Sequence, residues 1–290
     1  MQSDLLKIKF YFPKISHWIK NKQELVDLII KKMCKDKSIK YAGYSTKKGL
    51  RKGLLQHIGQ GDTSQYRKLS TKEKETIKRT VHATIQKCDK KLPIPTKNFI
   101  FVFPWFPTKE DVAFEGSFGF AAYSCVLHIF IAPDIFTQKS LANSVAHEIN
   151  HTISFYYHFD RYNKWSLLDY IVNEGLAENF REEVLHTSSA PCAVALTRKE
   201  AFEILISIRP LLHSKKSVIC QNILFGNAKY KQWTGYSIGY WLVKEFRKKN
   251  KKLPWKEVIK IKPEDILEAV EKNRRNIRDR YALQKCCGAV

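Results

Sequence analysis

The sequence predicts an α+β fold: a mostly helical, basic N-terminal region over residues 1–95, then a domain over residues 96–290 built from a small sheet and a mostly helical C-terminal part. Three observations predict it. Helix-start signatures, in which Ser, Thr or Asn is followed three residues later by an acidic residue, recur along the chain. Two short runs rich in β-branched and aromatic residues follow residue 95. A chain of 290 residues, 44% apolar and 12% aromatic, can bury a sizeable core.

Taken in order, Asn21 with Glu24 opens a helix reaching about Cys34, and Ser70 with Glu73 opens one reaching about Cys88. The KLPIP segment, Lys91 to Pro95, then stops helix formation. Asn98 to Phe103 reads as a strand. The apolar run from Phe118 to Phe136 is interrupted by Ser124, His128, Pro133 and Asp134, so it reads as buried strand and not as a membrane span. Within it, Val126 to Ala132 is the second strand, ended by Pro133. Helices are expected from about Gln138 to Tyr157, from Ser166 with its cap partner Asp169 to about Glu183, and from Thr197 with Glu200 toward Arg209. Further helices are expected over Tyr236 to Lys248, where Tyr240, Val243 and Phe246 share a face, over Glu264 to Lys272, and in the C-terminal tail.

The formal net charge is +23, from 51 Lys plus Arg against 28 Asp plus Glu. A field of that size attracts polyanions without sequence preference. The excess is mostly lysine in short clusters such as Lys47-Lys48, Lys90-Lys91 and Arg247 to Lys252, and no RNA-binding sheet motif or zinc knuckle accompanies it. The seven cysteines stand singly apart from Cys286 and Cys287, which suits reduced thiols in the cytoplasm. The opening residues, MQSDLLKIKFYFPK, lack a basic stretch followed by an apolar one, so no secretory signal is expected.

The chemistry concentrates in His147-Glu148-Ile149-Asn150-His151. Four residues of α-helix make about 400° of turn, so His147 and His151 share one face about one turn apart and their imidazoles can reach a single Zn²⁺. Glu148 lies about 100° round the helix, placed to take a proton from water beside the metal. A third ligand must come from downstream. His158 and Asp160 lie too far along the same helix, unless it breaks. Glu174, in the run Asn173-Glu174-Gly175-Leu176-Ala177-Glu178, follows His151 by enough residues for a loop over Arg161 to Trp165 and a second helix crossing the first, with Gly175 permitting close approach of the two. Glu178, one turn beyond, is the candidate to orient a ligating imidazole through its other nitrogen.

HEINH followed by LLDYIVNEGLAENF and TGYSIGYWLVKEF resembles the gluzincin branch of the zincins, and most closely the YjaZ-type Zn-dependent proteases, over roughly residues 96–275. The resemblance implies a zincin-like metallopeptidase domain, with zinc held by His147, His151 and Glu174 and with Glu148 as general base acting on peptide or protein substrates. It further implies that Tyr236, in the pattern Tyr236-Ser237-Ile238-Gly239, donates a hydrogen bond to the oxyanion, with Tyr240 one turn on as competitor and His213 and His128 next in line. In such enzymes the strand before the active-site helix often offers a free edge to an extended peptide; Val126 to Ala132 is the candidate here. The second functional class is a nucleic-acid-associated zinc protein, or a protease acting on DNA-bound proteins as the SprT-like proteases do. The charge favours it, and the glutamate in NEGLAE, where that group uses a histidine, argues against it.

Overall fold

The computed structural model describes residues 6–14, 21–158, 160 and 164–272. Contacts group the chain into two compact units: Met1–Phe159 with Glu183–Thr187, and Asp160–Glu182 with Ser188–Val290.

The first unit is built on a four-stranded sheet of β1 (Leu6–Phe10), β2 (Asn98–Pro104), β3 (Ser117–Tyr123) and β4 (Val126–Ile131) in the order β1-β2-β4-β3. The β1–β2 and β2–β4 pairs are parallel, and β3 returns antiparallel to β4. Strands β2 and β4 are nearly uninterrupted apolar sequence because both of their faces are covered. Phe101, Phe103 and Phe130 face a core shared with Leu25, Ile29 and Met33 of α1 (Lys22–Lys35) and Leu50 and Leu54 of α2 (Lys47–His57). By strand alternation the buried Ile100, Val102, Leu127 and Ile129 belong to the other face. Two long helices, α3 (Thr71–Lys91) and α4 (Gln138–Tyr157), pack on each other and against β1, β3 and β4.

The capping signatures hold at atomic level. Asn21 Oδ1 accepts from the Glu24 amide at 3.0 Å, and Ser70 and Glu73 close a reciprocal box. Two strands escape the sequence reading. In β1, Leu6, Ile8 and Phe10 alternate with Lys7 and Lys9 in only five residues. The Phe118–Phe136 run contains two antiparallel strands, turning at Ser124 and Cys125. Helix α2 escapes because Gly49 and Gly53 and its lysines resemble a basic loop. The residue-95 boundary falls in the connection from α3 to β2, and β1 joins the two sides by pairing with β2.

The second unit contains α5 (Leu167–Leu185), α6 (Arg198–Ser207), α7 (Ser217–Leu224), α8 (Thr234–Lys249) and the short α9 (Trp255–Val258), with residues 263–272 also helical. Thr197 and Glu200 form the expected box on α6, and Asp169 Oδ2 accepts from the Ser166 amide at 2.8 Å. Helix α7 has no side-chain cap, which explains why its start carries no signature. The expected loop over Arg161 to Trp165 lies largely outside the described residues, and the C-terminal tail wholly so. Among the described residues no helix is long and apolar enough to cross a membrane.

Candidate metal centre

Helix α4 follows β4 directly and is capped by a reciprocal Thr137–Ser140 pair. Its Leu141, Val145 and Ile149 are fully buried, which fixes the rotation of the helix. The same rotation brings His147 and His151 to one face. Their Nε2 atoms lie 3.0 Å apart, with the rings at 82°. His151 is buried and stacks on Phe155 at 6.3 Å, whereas His147 is half-buried. Two ring nitrogens that close suit a shared cation, since each neutral imidazole offers a lone pair.

Glu148 turns toward β3. Its Oε2 accepts from the Ala121 amide at 2.8 Å. Two further bonds join this helix face to the strand: Ser117 Oγ to Ser140 Oγ at 3.0 Å, and Ser144 Oγ donating to the Ser117 carbonyl at 3.1 Å. The edge expectation is corrected here. Strand β4 is paired on both sides, by β2 and β3, so Val126–Ile131 has no free edge; the edge strands are β1 and β3. Sequence reasoning also missed Gly119 and Ala121, whose signal was a glycine inside a strand, a mark of close approach.

In the second unit, Glu174 is half-buried on α5, and the residue beside it explains the local sequence. A Cβ on Gly175 would collide with the Gly239 carbonyl of α8, and one on Gly239 with the Ile171 carbonyl. The atoms nearest such a Cβ on Gly175 belong to Gly239 and Val243, so the close approach this glycine permits is to α8. Asn179 Nδ2 donates to the Gly175 carbonyl at 2.8 Å and to the Tyr240 carbonyl at 3.1 Å, tying α5 to α8. Glu178 is buried and ion-paired to Arg181 at 2.7 Å, and it accepts from the Ala190 amide at 2.7 Å. Burial, with the nearby carboxylates of Glu178 and Glu174, pushes the Cys192 thiol up to about 12.

Tyr236 lies in the first turn of α8, half-buried, beside Trp233 at 5.1 Å and Phe225 at 5.9 Å. Tyr240 is buried, and its hydroxyl bonds Glu182 at 3.0 Å, Ser189 at 2.7 Å and the Lys244 ammonium. His158 caps the end of α4. His213 is exposed, and His128 is sealed in the core with Nε2 on the Ala42 carbonyl at 3.0 Å.

Among the described residues, His147, His151 and Glu174 form a group that could hold a metal ion, their ligand atoms all within 4.8 Å of one another. Tetrahedral zinc places its ligands roughly 3.4 Å apart at ~2.1 Å bonds, so small side-chain movements would suffice. Two imidazoles and one carboxylate are a donor set of catalytic zinc sites, which keep a fourth position open.

"Uncharacterized protein YjfC" of Bacillus subtilis (strain 168) is 26% identical over 143 residues, spanning 46% of this chain and 48% of that protein, so the chain matches about half the length of this curated relative. No solved structure matches. The model of the family described as "Predicted Zn-dependent protease (DUF2268)" matches residues 77–268, from within α3 to the helix after α9, and to that family the chain belongs.

Proposed function

We propose that the protein is a zinc-dependent peptidase that holds its metal through His147, His151 and Glu174 and uses Glu148 as general base. The observation that carries the reading is the convergence of two imidazoles and one carboxylate, with a second carboxylate on the residue next to His147. Bound there, zinc would supply Lewis-acid polarisation of a peptide carbonyl and acidify the attacking water. Glu148 takes the proton of that water and delivers it to the leaving amine. Tyr236 donates to the oxygen that becomes negative as the carbonyl turns tetrahedral. The fold class fits a zincin-like arrangement of small sheet and active-site helix.

Five thiols are free among the described residues, Cys34, Cys88, Cys125, Cys192 and Cys220, which favours a reducing compartment such as the cytoplasm. The charge of +23 favours a second role, nonspecific attraction to polyanions, and through it the alternative that the substrates are proteins bound to DNA.

The test is metal content beside peptide-library cleavage. Zinc should bind one to one, and His147→Ala or Glu174→Ala should abolish it. Glu148→Gln should keep the metal and the fold yet lose about 10²–10⁴-fold in turnover. Unchanged turnover in Glu148→Gln would remove the mechanism. Metal retained in Glu174→Ala but lost in Glu178→Ala would move the third ligand to the other carboxylate.

A further inference from the structure

Edge strand β3 and the helix of Glu148 are fitted to each other residue by residue. In the β3–β4 ladder, Phe118 is opposite Phe130 and Phe120 opposite His128, and the Gly116 carbonyl accepts from the Ala132 amide at 2.9 Å. Antiparallel pairing alternates, so the even-numbered residues spend their backbone groups on β4 and those of Ser117, Gly119 and Ala121 point away from it. Helix α4 meets that outward set at i, i+4 spacing. Ser144 takes the Ser117 carbonyl at 3.1 Å, and Glu148 takes the Ala121 amide at 2.8 Å. Between them, at Gly119, no hydrogen bond is needed; what is needed is room. A Cβ built on Gly119 falls deep inside van der Waals contact with Glu148 Cγ, with Cδ at 3.2 Å and Cβ at 3.4 Å as the next atoms. All three belong to one side chain, so the missing methyl at 119 is the space that the stem of Glu148 occupies.

We infer that Gly119 and the backbone amide of Ala121 are positioning groups for Glu148: the first leaves the channel for its stem, and the second holds its carboxylate. The inference rests on the peptidase reading for its catalytic consequence, though not for its geometry. A general base displaced by about 1 Å loses on the order of 10²-fold in rate. A methyl at 119 meets the Glu148 side chain first, with no backbone atom among its three nearest neighbours, so Glu148 is the group it displaces. The Ala121 amide can be deleted without touching the ladder, since an outward amide on an edge strand makes no bond to β4.

Two experiments on the full chain test this. The first is a thermal-stability cycle. Gly119→Ala should lower the melting temperature in the wild-type background and leave it nearly unchanged in Glu148→Ala, where only an ordinary 3.4 Å contact remains. Equal losses in both backgrounds would show that Gly119 serves general packing, and would overturn the inference. The second uses zinc-loaded protein and a fluorogenic peptide taken from library cleavage. Gly119→Ala, and separately an amide-to-ester replacement at residue 121, should each lower kcat by about 10²-fold with KM and zinc stoichiometry unchanged. A rise in KM alone overturns the inference, and so does a rise in kcat in the ester variant, which would mean that the amide holds Glu148 back from the reaction. If the wild-type chain cleaves no peptide, the peptidase reading fails while the stability cycle still decides whether Gly119 and Glu148 are coupled.

Discussion

Among single residues, the two tyrosines of α8 show what sequence could and could not separate. Both lie at helical spacing near Gly239, and the resemblance to gluzincins favoured Tyr236 without excluding Tyr240. The structure gives the tyrosines different surroundings. The Tyr240 hydroxyl is committed to Glu182, Ser189 and Lys244 inside the second unit, while Tyr236 stands half-buried in the first turn. Tyr236→Phe should therefore lower kcat by about 10²–10³-fold, the usual effect of losing one oxyanion donor, with zinc affinity and KM nearly intact. Tyr240→Phe should leave kcat alone and destabilise by ~1 kcal/mol, the net worth of its hydrogen bonds, because Lys244 and Glu182 still pair at 3.1 Å without it. Steady-state kinetics beside denaturant melts separate the two, and the reverse pattern would assign the donor to Tyr240. The shared face of His147 and His151 was legible because helical periodicity alone puts the two rings together. The role of Gly119 was not, since it depends on which strand lies beside α4, a fact of tertiary packing.

Elements bounded by their own side chains were read well, and elements bounded by packing were not. The capped helices α1, α3 and α6 begin within a residue of their signatures because the cap is a local hydrogen bond. Strand β1 is too short to show a pattern and helix α7 has no side-chain cap; helix α2 is the exception, capped by Thr46 Oγ1 accepting from the Gly49 amide at 3.0 Å but with glycine where an acidic residue would complete the signature. The α5–α8 crossing is the instructive middle case. Both glycines were visible in NEGLAE and YSIG, yet their mutual partnership was not. Because each occupies space that backbone of the other helix needs, Gly239→Ala must push the helices apart. The expected loss is ~1–3 kcal/mol, typical of overpacking, against the stabilisation that alanine normally brings to a helix interior. Urea unfolding would measure it, and a variant at least as stable as wild type would show that the crossing is looser than described.

For the molecule as a whole, the α+β class and the order of its main segments followed from composition and punctuation, whereas the aromatic layer under the sheet did not. That layer encloses two histidines. His57 stacks on Phe120 at 4.4 Å and His128 lies edge-on to Phe103 at 5.1 Å. Burial holds His57 down to about 4 and His128 to about 3, the latter opposed only by its bond to the Ala42 carbonyl. In the unfolded chain both titrate near ~6.5. Above that pH they are neutral in either state and make stability no function of pH. As the pH falls below it, the unfolded chain takes protons that the folded core refuses, so stability declines until about pH 4 for His57 and about pH 3 for His128. At pH 5 each histidine accounts for roughly 2 kcal/mol of loss, since one pH unit over this interval is worth about 1.4 kcal/mol per group. Most carboxylates remain ionised there. Urea unfolding at pH 7 and pH 5, with chelator present so that metal release does not contribute, should show the decline. His57→Phe, which keeps a flat ring against Phe120, should remove its own share, roughly 2 kcal/mol. A stability that stays level from pH 7 to pH 5 would mean that these rings take up protons in the folded state, and that the aromatic layer is open to water.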